Sequence, residues 1–153
     1  MQVLELKVPP PVAALLVAVA MWGISLLTTP FGIPAPVRAI AALALAFVGV
    51  GIAVSGVVAF RRARTTVSPV EPDAASSLVT SGVYRFTRNP MYLGLCLVLV
   101  AWALFLSSAF AFLGPVVFVL YISRFQIVPE ERALSRIFGT AFSTYQAKVR
   151  RWL

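Results

Sequence analysis

Two short stretches of this chain carry residue types that could do chemistry. The first is Arg88-Asn89-Pro90-Met91-Tyr92-Leu93-Gly94. Asn89 is a good helix N-cap and Pro90 suits the first helical turn, so a helix starts here. Its free N–H groups suit an anionic or polar ligand group, and Arg88 adds charge. On the plainer reading, Asn89 only caps and Arg88 only reaches toward lipid headgroups. The second stretch is Pro129-Glu130-Glu131-Arg132, which holds two of the five acidic residues in the chain. Acids suit the first turn of a helix for electrostatic reasons alone. Neither glutamate, however, has a basic residue three or four positions later, so no local ion pair accounts for them. Carboxylates at a membrane surface could bind ribose hydroxyls, a ligand ammonium or the positive field of a sulfonium.

Other chemistries are excluded by composition. There is no histidine, which removes the commonest metal ligand and the usual general base; no metal is expected. Cys96, the one cysteine, sits in an apolar run and reads as a small packing residue. Tyr84, Tyr92, Tyr121, Tyr145 and Trp152 flank helix ends, where an aromatic belt is the default account, and Arg124 reads first as a snorkelling residue.

These residues need elements to position them, and composition says which kind. The 153 residues are 60% hydrophobic with a mean hydropathy of +0.93, against roughly 45–50% apolar in soluble domains. A single all-α integral membrane domain is expected. The net charge of +8 clusters beside apolar runs, which points to anionic lipid headgroups and away from nucleic acid. After a short amphiphilic lead with Glu5 and Lys7, a first transmembrane helix runs from about Val12 to Leu27. The prolines and glycine of Thr28 to Pro36 break it. A second helix follows to about Phe60, with Ala42, Ala46, Gly49, Ala53 and Gly56 as a close-packing face. Residues 1–64 are thus two helices, ended by Arg61-Arg62-Ala63-Arg64; Thr65 to Thr80 reads as a long loop.

Met91 to Ser123 is uncharged over 33 residues, too long for one untilted crossing of a core about 30 Å thick. Ser107-Ser108 is the natural hairpin point, dividing the run into a third helix from about Pro90 to Leu106 and a fourth from about Ala109 to Gln126. From Val128 an apolar stripe of helical period with a basic complement predicts two short helices at the inner membrane face, divided at Gly139. In this four-helix topology nearly all basic residues fall on one side, so both termini are expected to be cytoplasmic. Oligomeric state is left open by the small-residue face.

The ordered combination of Thr65 to Pro69, Ser81 to Gly94, Glu130 to Leu134, Phe138 to Tyr145 and the closing Arg150-Arg151-Trp152 resembles the isoprenylcysteine carboxyl methyltransferase and phospholipid methyltransferase superfamily. The resemblance covers roughly Thr65 to Trp152. It implies an integral membrane enzyme taking S-adenosylmethionine from the cytosol and a lipophilic acceptor from the bilayer. Matched position by position, Arg88, Asn89, Pro90, Tyr92 and Gly94, with Tyr84 just before them, belong to the first cofactor-binding segment. Glu130, Glu131, Leu134, Gly139 and Tyr145 belong to the second. Many relatives carry histidine at the position of Asn89, whose amide hydrogen-bonds but does not titrate near neutrality. A carboxylate acceptor would want an arginine, for which Arg88, Arg124 and Arg151 are candidates. An amine acceptor would need to lose a proton, for which Glu130, Glu131 or a tyrosine is available. Two other functions compete: an NADPH-dependent membrane reductase of an isoprenoid or sterol, and a small non-catalytic membrane protein. The methyltransferase reading carries a geometric expectation, that Asn89 and Pro90 face Glu130 or Glu131 across a cavity.

Overall fold

A computed structural model describes residues 5–63 and 77–153. Thr65 to Pro69, and most of the loop expected up to Thr80, lie outside the described residues. The described residues form helices and turns with no strand. Helix α1 spans Pro10–Ser25 and α2 spans Ala35–Arg62; a 3-10 turn, Gly82–Arg85, precedes α3, Pro90–Leu106. A second 3-10 turn, Phe110–Phe112, leads into α4, Leu113–Ile122, then a π-helical segment, Ser123–Ile127, then α5, Val128–Phe138, and α6, Thr140–Lys148.

Proline marks the starts. α1, α2 and α3 each have proline at the first or second helical position, where its missing N–H costs no helical bond and its fixed φ already fits. Two of the stops are residues with positive φ: Ser107, at φ 56°, ends α3, and Gly139, at φ 49°, divides α5 from α6. The hairpin therefore falls at the expected serines. Its tip is tied to the turn after α1, since the Phe31 amide donates to the Ser107 carbonyl at 2.9 Å and the Thr28 and Ser108 hydroxyls lie 2.7 Å apart.

The fourth helix does not stop near Gln126. Helical bonding continues from Phe110 to Phe138, 29 residues, because the chain accommodates Pro129 instead of breaking at it. A proline inside a helix withholds an N–H from the carbonyl four residues back. Here the preceding turn widens, and the Val128 amide bonds Ser123 five residues earlier, a π geometry that absorbs the mismatch.

Among the described residues two helices, Ala35–Arg62 and Phe110–Phe138, are long and apolar enough to cross a membrane; Pro10–Ser25 and Pro90–Leu106 are apolar but shorter. Side-chain distribution agrees with a lipid surround. Large apolar residues face outward, among them Leu15, Leu16, Leu43, Phe47 and Leu120, with Phe47 81% exposed. Small ones face inward: Ala42, Gly49 and Gly56 are the buried residues of α2. In water so broad an apolar belt would be an interaction or aggregation surface. The small-residue face of α2 packs on α3 within the chain. A Cβ on Gly49 would sit 2.7 Å from the Gly94 carbonyl oxygen, and one on Gly94 would sit 2.7 Å from Ala53 Cβ and against the Gly49 carbonyl. Glycine at both positions is what lets the two backbones touch.

Candidate functional site

The crossing of α2 and α3 fixes where α3 begins, and the site is built around that beginning. Asn89 occupies the N-cap position of α3, yet its side chain makes no capping bond. Its Nδ2 donates to the Arg151 carbonyl at 2.9 Å, and the Thr87 hydroxyl donates to the same oxygen at 3.3 Å. One residue earlier the Arg88 amide donates to the Arg150 carbonyl at 3.0 Å. The last residues of the chain therefore run beside the turn that opens α3 and are stitched to it. Trp152 closes the stitch, its Nε1 donating to the Ser123 hydroxyl at 3.3 Å.

Glu131 is brought to the same place from α5. Its carboxylate meets Arg88 at 3.1 Å and Arg151 at 2.6 and 3.2 Å, the latter as a two-pronged pair. This geometry suits the planar guanidinium fork, and the Glu131 carboxylate holds the Arg151 guanidinium above its ordinary range. Glu130, one residue away, accepts a hydrogen bond from the Tyr92 hydroxyl on α3. The paired acids thus divide the work, Glu131 holding two arginines and Glu130 the tyrosine.

Between these groups lies a cavity of about 60 Å3 within a recess of about 500 Å3 that opens outward. Arg88, Asn89, Glu130, Glu131, Tyr84 and Tyr145 line it. Phe60, Leu78, Val79, Leu134 and Phe142 supply an apolar wall. Tyr145 reaches from α6 and donates to the Tyr84 carbonyl at 2.7 Å, while the Tyr84 ring packs edge-on against Phe60 of α2, centroids 5.3 Å apart. Burial pushes the Tyr145 hydroxyl up to about 12. It raises Tyr84 as well, with nearby Tyr145 and Glu130 adding to the effect. Both tyrosines are therefore neutral donors at physiological pH. Among the described residues, two donors on the cavity wall are buried without a hydrogen-bond partner, the Tyr84 hydroxyl and Arg88 Nε; Tyr84 is only 4% exposed. Such orphans are uncommon and costly in a protein interior.

Each residue singled out from the sequence has a definite place. Tyr84, Arg88, Asn89, Glu130, Glu131 and Tyr145 converge on the cavity. Arg151 and Tyr92 stand behind it, each holding one of the glutamates. Pro90 packs against Gly56 of α2, and Gly94 lies at the helix crossing against Gly49. Arg124 turns away to Glu5 at 3.0 Å. The backbone carbonyls of Arg150 and Arg151 carried no signal in the sequence, since any residue has a carbonyl. Phe60 and Phe142 read as ordinary apolar helix residues. Thr87 and Ser123 are buried or half-buried polar partners whose roles depend on contacts far along the chain.

Among the described residues, the fold and the site together define an all-helical architecture with two helices long and apolar enough to cross a membrane and a charged cavity at one end of the bundle. Residues 37–141 match the model of the phospholipid methyltransferase family, and the chain belongs to that family. It is also similar to a protein of Haemophilus influenzae described as uncharacterized, with 49% identity over 63 residues, 41% of this chain and 100% of that protein. No solved structure matches. The family is one of methyltransferases, and the long apolar helices agree with a place in the membrane.

Proposed function

We propose that the protein transfers a methyl group from S-adenosylmethionine to a lipophilic acceptor, a prenylated carboxylate or a lipid amine, at the cytoplasmic face of a membrane. The observation that carries this is the cavity at the start of α3, where two carboxylates face two buried donors, Tyr84 Oη and Arg88 Nε, that have no partner among the described residues, in a chain of this family. The donor set fits the cofactor's chemistry: carboxylates suit hydroxyls and an ammonium, and the orphan donors suit a carboxylate. When bound, the cofactor supplies an electrophilic methyl on a sulfonium, whose departure leaves a neutral thioether.

What this chain's residues have to do is then modest and matches what they offer. Glu131, fixed by two arginines, and Asn89, fixed by the tail, hold ligand groups in place. Phe60, Leu134 and Phe142 keep water from the reacting centre. Glu130 is the candidate to take a proton from an amine. Among the described residues, Arg88 is the arginine whose buried Nε lacks a partner, which suits a carboxylate. The reading places all four helical passes in the bilayer, with Lys7, Arg61, Arg62, Arg85 and the residues from Arg124 onward on the cytoplasmic side.

Saturable binding of S-adenosylhomocysteine to the purified protein, weakened at least tenfold by Glu131→Ala or Arg88→Ala, is the expected result of titration calorimetry. Absence of binding to the wild type would sink the proposal. Incubating membranes with labelled methyl donor and identifying the labelled lipid then decides between the acceptors.

A further inference from the structure

We propose that Glu5 is a positioning residue for this site: the segment Glu5–Val8 is a latch that sets where α5 presents Glu130 and Glu131. The inference rests on the methyltransferase reading for its functional consequence, though the latch itself does not.

The latch exists because of Pro129. In a regular α-helix the carbonyl of Phe125 would accept from the amide of residue 129, which here is proline and has none. The orphaned carbonyl is taken by the Leu6 amide at 3.1 Å. One residue on, the Gln126 side chain, 1% exposed, donates from Nε2 to the Val8 carbonyl at 2.7 Å. Leu6 sits at φ 59°, a left-handed conformation that a leucine adopts only when its surroundings hold it there. Glu5 then splits its carboxylate. One oxygen meets Arg124 at 3.0 Å and the other meets Arg132 at 2.5 Å.

The spacing gives this pair its meaning. Arg124 lies within the π segment and Arg132 in the first turns of α5, so one carboxylate bridges both sides of the widened turn. A π turn interrupts the regular bond ladder and leaves the angle and rise of the following helix less determined. Glu130 and Glu131 lie between the two clamped arginines and next to the second. From the opposite side, the C-terminal Arg151 holds Glu131. The site helix is thus pinned between the two ends of the chain, although Glu5 itself does not line the cavity.

The test uses the full-length protein in nanodiscs. In Glu5→Gln, hydrogen exchange of the Val128–Phe138 amides should rise at least tenfold while that of the α2 amides is unchanged. The dissociation constant for S-adenosylhomocysteine should rise about tenfold, with turnover at saturating methyl donor changed less than twofold. Arg124→Gln combined with Arg132→Gln should reproduce both effects, and adding Glu5→Gln to that pair should add nothing, because all three remove the same interaction. Arg124→Gln alone, which cuts one arm, should give a smaller effect in the same direction. Unchanged α5 exchange in Glu5→Gln, or costs that add across the triple variant, overturns the latch. If the wild type binds no S-adenosylhomocysteine, the methyltransferase reading fails, and the exchange measurement still decides for or against the latch.

Discussion

Glu131 has two cations and Glu130 a hydroxyl, so the adjacent acids should respond differently to substitution. Removing the Glu131 carboxylate leaves Arg88, whose side chain is 13% exposed, without its partner. Glu131→Ala should therefore cost about 1–3 kcal/mol of stability as well as cofactor affinity, read by thermal unfolding in detergent. Tyr145→Phe removes one buried hydrogen bond, to the Tyr84 carbonyl, and should cost about 1 kcal/mol with little change in shape. Glu5 carries a pH dependence. Its hydrogen bond to Arg124, and then its interactions with Arg132, hold its carboxyl below the ordinary range around 4.5. A group whose folded pKa is depressed stabilises fully above its unfolded value and loses that contribution as pH falls through the folded one. The difference in thermal midpoint between wild type and Glu5→Gln should accordingly be flat from about pH 6 to 8 and close below about pH 4. A difference that vanished between pH 6 and 8 would contradict the pairing.

Among the elements, the contact of α2 with α3 is the one that fixes where the site's first wall begins. Gly49→Ala would place a methyl 2.7 Å from the Gly94 carbonyl oxygen, backbone that cannot swing aside, and should cost about 1–3 kcal/mol or more. A methyl on Gly51 would meet nothing within 4 Å, so Gly51→Ala should be neutral or stabilising by up to about 1 kcal/mol. Comparing the two melting curves checks both. That α2 carried a close-packing face was legible from Ala42, Ala46, Gly49, Ala53 and Gly56, because helical spacing of small residues is a local pattern. The bounds of α3 were equally legible from Asn89-Pro90 and Ser107-Ser108. The continuation of α4 into α5 was not. The amphipathic stretch from Val128 reads as separate from the apolar run before it, and whether a helix stops or widens at a proline depends on donors from elsewhere, here Leu6. The converging glutamates could be picked out by rarity, and Arg88 by its place before Asn89-Pro90. The pairing of Asn89 with the tail could not, since its partner is a backbone carbonyl 62 positions away.

At the scale of the whole molecule, the first and last described segments meet the same end of the bundle: Glu5 binds Arg132, and Arg151 binds Glu131 beside it. Reporter fusions at either terminus should consequently fall on one membrane face, and opposite faces for the two would contradict this arrangement. The close of the chain also carries its own optical label. Of the three tryptophans, Trp22 is 52% exposed on α1 and Trp102 is half-buried on α3, hydrogen-bonded to the Ala18 carbonyl of α1. Trp152 alone reports on the tail, through its bond to Ser123. In a Trp22→Phe, Trp102→Phe background, the emission of that single indole becomes a direct gauge of whether the tail is seated. Loosening the clasp with Arg151→Ala should shift it to longer wavelength, so the seating of the tail can be read by fluorescence before any acceptor has been identified.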